Sequence, residues 1–170
     1  MDFFSVAQLA GWFGAFIYIA SLQVLDSRKT IFFWIPADLL YAVHYFMLGS
    51  VTAGIIAVVA AVRDGAGFYA PEKALKYALV FCFLAVWILG LMTLQYWYEV
   101  FPIFGGTFVI VGTVFRNSFM IHRVLYIAHN VSWLCFGVFI MSYPLITVCL
   151  LLIISNCISI WRYRNKVESA

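Results

Sequence analysis

The chain has 170 residues, 66% of them hydrophobic and only 10% charged, with ten Lys and Arg against seven Asp and Glu for a net charge of +3. A soluble domain carries about 25% charged and about 45–50% apolar residues, so composition excludes a water-soluble fold of this size and points to a lipid bilayer as the solvent. The small basic excess does not indicate nucleic acid, because nine of the ten cations fall on one set of loops and the tenth, Arg63, lies within a span.

A bilayer core about 30 Å thick needs roughly 20 helical residues per crossing. Apolar runs separated by short polar breaks predict seven spans: Val6–Leu25, Ile31–Leu48, Thr52–Tyr69, Leu75–Leu94, Phe101–Phe115, Phe119–Met141 and Pro144–Trp161. The runs are long and continuous rather than alternating, which favours helices over barrel strands. They occupy residues 1–170 as a single integral membrane domain with no separate soluble part. Ahead of the first span, Met1–Ser5 carries Asp2 and no Lys or Arg, so no cleavable signal peptide is expected. The second span contains Pro36, whose ring removes a helical hydrogen bond and predicts a kink. The third carries Arg63 and Asp64, followed by Gly65 and Gly67, which read as close-packing positions. Pro102 and Pro144 fall in the first turns of the fifth and seventh spans, where a missing N–H costs nothing. Cys82, Cys135, Cys149 and Cys157 all lie in apolar runs and read as small hydrophobes, without the spacing of a disulfide framework or a metal site. No cofactor is expected.

Seven spans place Arg28, Lys29, Lys73, Lys76, Arg116, Arg123, Arg162, Arg164 and Lys166 at one face and no Lys or Arg at the other. Positive charge stays in the cytoplasm, so the N-terminus is expected outside and the C-terminus inside. Tyr96, Trp97 and Tyr98 mark the outer interface, and Trp161 and Tyr163 the inner one.

The first three spans match the last three at an offset of 92 residues: Gly14 with Gly106, Ser21 with Thr113, Asp38 with Asn130, Tyr41 with Trp133, Ser50 with Ser142, Asp64 with Asn156 and Phe68 with Ile160. This divides the chain into repeat one (5–69), a linker helix (75–94) and repeat two (100–163). The linker span turns the second copy back, so the expected fold is an all-α membrane protein of two parallel three-helix bundles joined by a linker helix. Parallel repeats of this kind place a solute site between the halves, near the midplane. Leu22-Gln23 followed by Arg28-Lys29-Thr30, and Trp133-Leu-Cys-Phe136-Gly137 ahead of Pro144, resemble motifs of the SWEET and PQ-loop transporter group. Leu22 stands where that group has proline, Val114-Phe115 replaces its Pro-Gln in the second half, and Ala57 and Cys149 stand where it has sugar-contacting asparagines. The resemblance therefore implies the fold and not sugar transport. Over nearly its full length the chain resembles the YgjV-like bacterial inner-membrane proteins, which implies a location and no mechanism.

An ionisable residue within a span costs about 2.5–3.5 kcal/mol. Asp38 lies twelve residues before Ser50 and Arg63 twelve after Val51, which puts both at one depth. The expected arrangement is an Asp38–Arg63 pair with Asp64 as a second acceptor, since a guanidinium can hold two carboxylates. The second half sets Asn130, Ser155 and Asn156 at the same depth. Tyr41 and Trp133 lie one turn outward, either as packing or as pocket walls. His44 and His129 read as packed histidines; His129, beside Asn130, is the candidate proton-coupling group. His122 and Arg123 are expected to be solvated at the inner surface. Arg63 at the depth of the aspartates argues against an aspartyl protease dyad, and no hydrolase motif is present, so no enzyme is expected. Two readings stay open. One is a carrier for a small polar anionic or zwitterionic solute, with Asp38, Arg63, Asp64, Asn130, Asn156, Tyr41 and Trp133 at its site. The other is a structural or accessory membrane protein whose polar layer joins helices. The lipid bilayer is a partner in both, nucleic acid in neither, and oligomerisation is left open.

Overall fold

The computed structural model describes residues 5–21, 23–24 and 27–168. Leu22, part of the motif noted above, and Leu25, the expected end of the first span, lie outside the described residues, as do the side chains of Arg28 and Lys166.

Among the described residues there are seven α-helices, one 3-10 turn at Trp97–Glu99 and no strand. The helices are α1 (Val6–Ser21), α2 (Ser27–Met47), α3 (Val51–Tyr69), α4 (Glu72–Met92), α5 (Val100–Val114), α6 (Phe119–Phe139) and α7 (Tyr143–Glu168). Five segments are long and apolar enough to cross a membrane: Lys29–Met47, Val51–Tyr69, Glu72–Met92, Trp97–Val114 and Tyr143–Asn165. The α1 helix falls short on length, since its 16 residues reach about 24 Å. The α6 helix falls short on polarity, because His122, Arg123, His129 and Asn130 interrupt its apolar sequence. The α2 helix runs through Pro36 as one continuous element, with the proline ring on the exposed side.

Each middle helix packs on both its chain neighbours: α2 lies against α1 and α3, and α6 against α5 and α7. Contacts of α1 with α7 and of α3 with α5 close these six helices on one another. The α4 helix packs on α3 and α5 through Leu75, Leu79, Cys82, Val86 and Gly90, and exposes Tyr77, Val80, Phe81, Leu84, Ile88 and Met92. A coat of exposed Phe, Leu, Ile and Val continues over the other helices, including Phe13, Phe16, Val62 and Ile154. Such a surface is stable against hydrocarbon and not against water.

The helix boundaries carry an internal correspondence. The α2 and α6 helices begin at Ser27 and Phe119 and end at Met47 and Phe139, 92 residues apart at both ends. The hairpins that follow use equivalent hydrogen bonds. Ser50 N–H donates to Tyr45 O at 3.0 Å, and Ser142 N–H donates to Gly137 O at 2.9 Å. Each hairpin turns through a left-handed residue, Gly49 at φ 81° and Met141 at φ 53°.

Close approach depends on glycine at a few points. A Cβ on Gly11 would lie 2.6 Å from the Pro144 ring and 3.0 Å from His44, so α1 seats tightly on α2 and α7 there. The two glycines after Asp64 are different from expectation. A Cβ on Gly65 would meet nothing, and one on Gly67 only Ile31 at 3.9 Å, so neither is a packing point. The cysteines are all free, with Cys82 and Cys149 buried and Cys157 exposed.

Candidate functional site

A cavity of about 860 Å³ runs between the helices. Asp38 and Tyr41 of α2, Arg63 and Asp64 of α3, Asn130 and Trp133 of α6, and Asn156 of α7 all line it, and so does His129. Helical spacing accounts for the grouping, since residues three apart share a face: Asp38 with Tyr41, and Asn130 with Trp133. All seven are buried between the helices, Asp38 at 6% exposure, Arg63 at 8% and Asp64 at 5%. A smaller depression of about 400 Å³ on the exposed tail of α7 contains none of them.

The cavity lining reaches exposed residues at one end of the helices and stops at buried side chains at the other. It extends past His122 and Arg123 to the exposed Arg116 and Asn117, in the connection between α5 and α6. Toward the opposite end it narrows onto a ladder of rings. Tyr41 stacks on Tyr45 at 5.6 Å, and Tyr45 on Trp133 at 5.3 Å. Beyond the ladder, polar groups tie the hairpins to the starts of α1 and α5. His44 Nδ1 lies 2.6 Å from Ala7 O and its Nε2 lies 2.7 Å from Ser142 Oγ. A carbonyl only accepts, so Nδ1–H donates to Ala7, and in the neutral ring Nε2 accepts from the Ser142 hydroxyl. Gln8 Nε2 donates to Met141 O at 2.8 Å. On the other side the Glu99 carboxylate accepts from Ser50 Oγ at 2.6 Å, Thr52 Oγ1 at 3.1 Å, Gln95 N at 2.8 Å and Tyr96 N at 3.3 Å. His44, Gln8 and Glu99 are all fully buried. The two fastenings fall at corresponding places: Ser50 and Ser142 differ by 92 positions, as do Ala7 and Glu99.

The polar layer is wired differently from the sequence expectation. Arg63 does not pair with Asp38. Its Nε and Nη2 both go to one oxygen of the adjacent Asp64, at 2.7 and 2.6 Å. The reason is local: neighbouring residues on one helix need no particular interhelical distance, so Asp64 reaches the guanidinium first. Asp38 instead accepts from the Tyr18 hydroxyl of α1. The second carboxylate oxygens, Asp38 Oδ2 and Asp64 Oδ2, are buried without a partner, as is the Tyr41 hydroxyl. A buried polar atom left unpaired costs about 1–3 kcal/mol.

Three lining residues escaped the sequence reading. Tyr18 stands as one aromatic among many on α1. Arg123 and His122 were expected in solvent, and both turn inward. Arg123 Nη1 donates to Asn156 Oδ1 at 2.9 Å while its Nε is buried unpaired, and His122 Nδ1 lies 2.9 Å from Gly112 O. A signal existed: Arg123 precedes Asn130 by seven residues, two turns on the same face. His129 Nδ1 is engaged with Gly105 O at 2.8 Å, and the carbonyl makes this nitrogen the donor.

A family model described as a bacterial inner membrane protein, Imp-YgjV, matches residues 5–167. No curated protein and no solved structure matches the chain.

Proposed function

The chain belongs to the Imp-YgjV family of bacterial inner membrane proteins, and we propose that it is a carrier for a small polar solute, anionic or zwitterionic, with no catalytic step. The observation that carries this reading is the cavity of about 860 Å³, which takes in all seven polar and aromatic candidates and reaches one end of the helices while the other end is fastened. Ligand sites for small molecules span about 300–1,000 Å³, so the volume suits a metabolite. A scaffold held by a polar layer would be expected to pack that layer shut.

Movement follows from the arrangement. Two three-helix bundles, α1–α3 and α5–α7, related by a two-fold axis along the membrane normal and joined by α4, would rock about the site. The exposed Lys29, Lys73, Lys76, Arg116, Arg162 and Arg164 support a cytoplasmic open end by the positive-inside rule. The N-terminus is then outside and the C-terminus inside. Opening to the far side requires the His44–Ser142 and Glu99–Ser50 bonds to break, since each joins one bundle to the other. Ala57 and Cys149 line the cavity, which leaves it without the paired amides a sugar would use there.

The test is a thermal-shift screen of the detergent-purified protein against amino acids, organic acids, nucleosides, vitamins and sugars. A ligand of the folded state raises stability by mass action, about 2.7 kcal/mol at one hundred times its Kd. The carrier reading expects one compound class to shift the melt, with the shift diminished in Asn156→Ala. No shift for any class would contradict it.

A further inference from the structure

Charge is distributed unequally around the cavity. On the α2–α3 side stand Asp38, Asp64 and Arg63. Arg63 is matched by Asp64, to which both its Nε and Nη2 are bonded. Two acidic groups against one guanidinium leave this side with one acid more than it has bases. Asp38 accepts from the Tyr18 hydroxyl and its carboxyl group lies against that of Asp64, while Asp38 Oδ2 and Asp64 Oδ2 are buried with no donor from any other residue. The Tyr41 hydroxyl, one turn from Asp38, is a third buried and unpartnered polar atom lining the same space.

On the α6–α7 side the sequence counterparts of the two aspartates are neutral: Asn130 for Asp38 and Asn156 for Asp64. Asn130 and Asn156 each donate through Nδ2 to their own helix, to Tyr126 O and Leu152 O at 2.7 Å. A guanidinium is nevertheless present. Arg123 reaches Asn156 Oδ1 at 2.9 Å, and because that partner carries no charge its own is uncompensated. Its Nε remains without an acceptor. This side therefore holds one positive charge in excess. The exposed Arg116, at the mouth, is the remaining charged residue of the lining.

We infer that the solute of this cavity is a zwitterion: an ammonium group set between Asp38 Oδ2 and Asp64 Oδ2 within reach of the Tyr41 hydroxyl, and an anionic group set on Arg123. The inference rests on the carrier reading and narrows it. An ammonium has three N–H donors and no acceptor, which matches a niche offering two carboxylate oxygens and a hydroxyl. A purely anionic solute would find Arg123 but would face the surplus acid of the Asp38–Asp64 pair. A cation without an anionic group would leave Arg123 unmatched. Either arrangement leaves a desolvated charge without its counter-ion.

The experiment compares four-carbon probes that differ only at their ends: 4-aminobutyrate, succinate and putrescine, with the α-amino acids as a second zwitterion set. Binding is read by thermal shift and by calorimetry on detergent-purified protein. The wild type is expected to bind zwitterions in preference to the dianion and the dication. Asp38→Asn keeps the shape and an acceptor for Tyr18, and should weaken zwitterions about tenfold or more while improving monocarboxylates. Arg123→Gln should move preference the opposite way, toward amines. This reversal between two variants is something a merely unfolded or loosened protein would not produce, and monodisperse elution of each variant checks its fold. Preference of the wild type for succinate, or for sugars or nucleosides, would overturn the zwitterion and leave a carrier standing. Stabilisation by sodium or by acid alone, abolished in Asp38→Asn, would assign the carboxylates to an inorganic cation and also overturn it. No binding of any compound class would remove the carrier reading and the inference together.

Discussion

Ser142, at the head of α7, meets His44 of α2 at 2.7 Å across the closed end of the cavity, and the other ring nitrogen of His44 holds the carbonyl of Ala7. One imidazole thus fastens the starts of α1 and α7 to the end of α2. His44→Ala strips a donor from Ala7 O and an acceptor from Ser142. Polar contacts between membrane helices average about 0.6 kcal/mol and buried bonds in general about 1 kcal/mol. A loss on the order of 1–2 kcal/mol is expected in a detergent melt. Thiol labelling of a cavity cysteine from the outer face should rise at the same time.

Glu99 accepts four hydrogen bonds and touches no cation within salt-bridge distance among the described residues. Gln95 N–H and Tyr96 N–H can only donate, while the Ser50 hydroxyl can turn to accept, so Glu99→Gln would keep its oxygen on the backbone pair and exchange charge-assisted hydrogen bonds for neutral ones. The expected cost is about 1.5–3 kcal/mol, the range for hydrogen bonds to a charged group, read as a lowered melting temperature. Glu99→Asp, too short to reach Ser50 and Thr52 together, should fall between.

The paired hairpins give a test of backbone strain. A non-glycine residue in the left-handed region costs about 1–2 kcal/mol, and Met141 holds φ 53° where Gly49 holds φ 81°. Met141→Gly should raise stability by about 1 kcal/mol or less, because the freed unfolded chain offsets part of the gain. Gly49→Ala should lower it by about 1 kcal/mol although a Cβ there meets no neighbour. Opposite signs at corresponding positions are measurable by chemical denaturation in mixed micelles.

Stability and binding should separate within the polar layer. Asp64→Asn removes the anion that matches Arg63 and leaves a buried guanidinium uncompensated, at a cost of about 3–5 kcal/mol. Asp38→Asn keeps the shape and an oxygen to accept from Tyr18, and puts an amide that can donate to Asp64 beside it, so it should cost under about 1.5 kcal/mol. Parallel melts of the two variants decide this: equal and large losses would mean that Asp38 serves to hold helices and not to receive a ligand.

Much of this was written in the amino-acid pattern. Continuous apolar runs placed all seven helices, with α7 running on past the expected Trp161 to Glu168, because in a bilayer each span must satisfy its backbone internally. The cavity residues were legible because an ionisable or amide side chain within a span stands out against its surroundings, as Asp38 and Asn156 do. The wiring was not legible. Asp38–Arg63 looked correct at the level of depth, yet a rotamer choice sent Arg63 to Asp64. Arg123 looked like a surface cation because it lies near a helix start, and only its side-chain direction takes it to Asn156. Gln8 and Glu99 stood at span edges where a polar residue is ordinary, and burial there comes from hairpins far away in sequence.

The most direct test of the central claim places a single thiol in the cavity. Ser155, a lining residue beside Asn156, becomes Ser155→Cys in a background where the four native cysteines are alanine. Membrane-impermeant maleimide is then applied to inside-out and to right-side-out vesicles. A carrier resting with its cavity open to the cytoplasm predicts labelling in inside-out vesicles and protection in right-side-out ones. Protection in both would mean that the layer is packed shut, and would contradict the account.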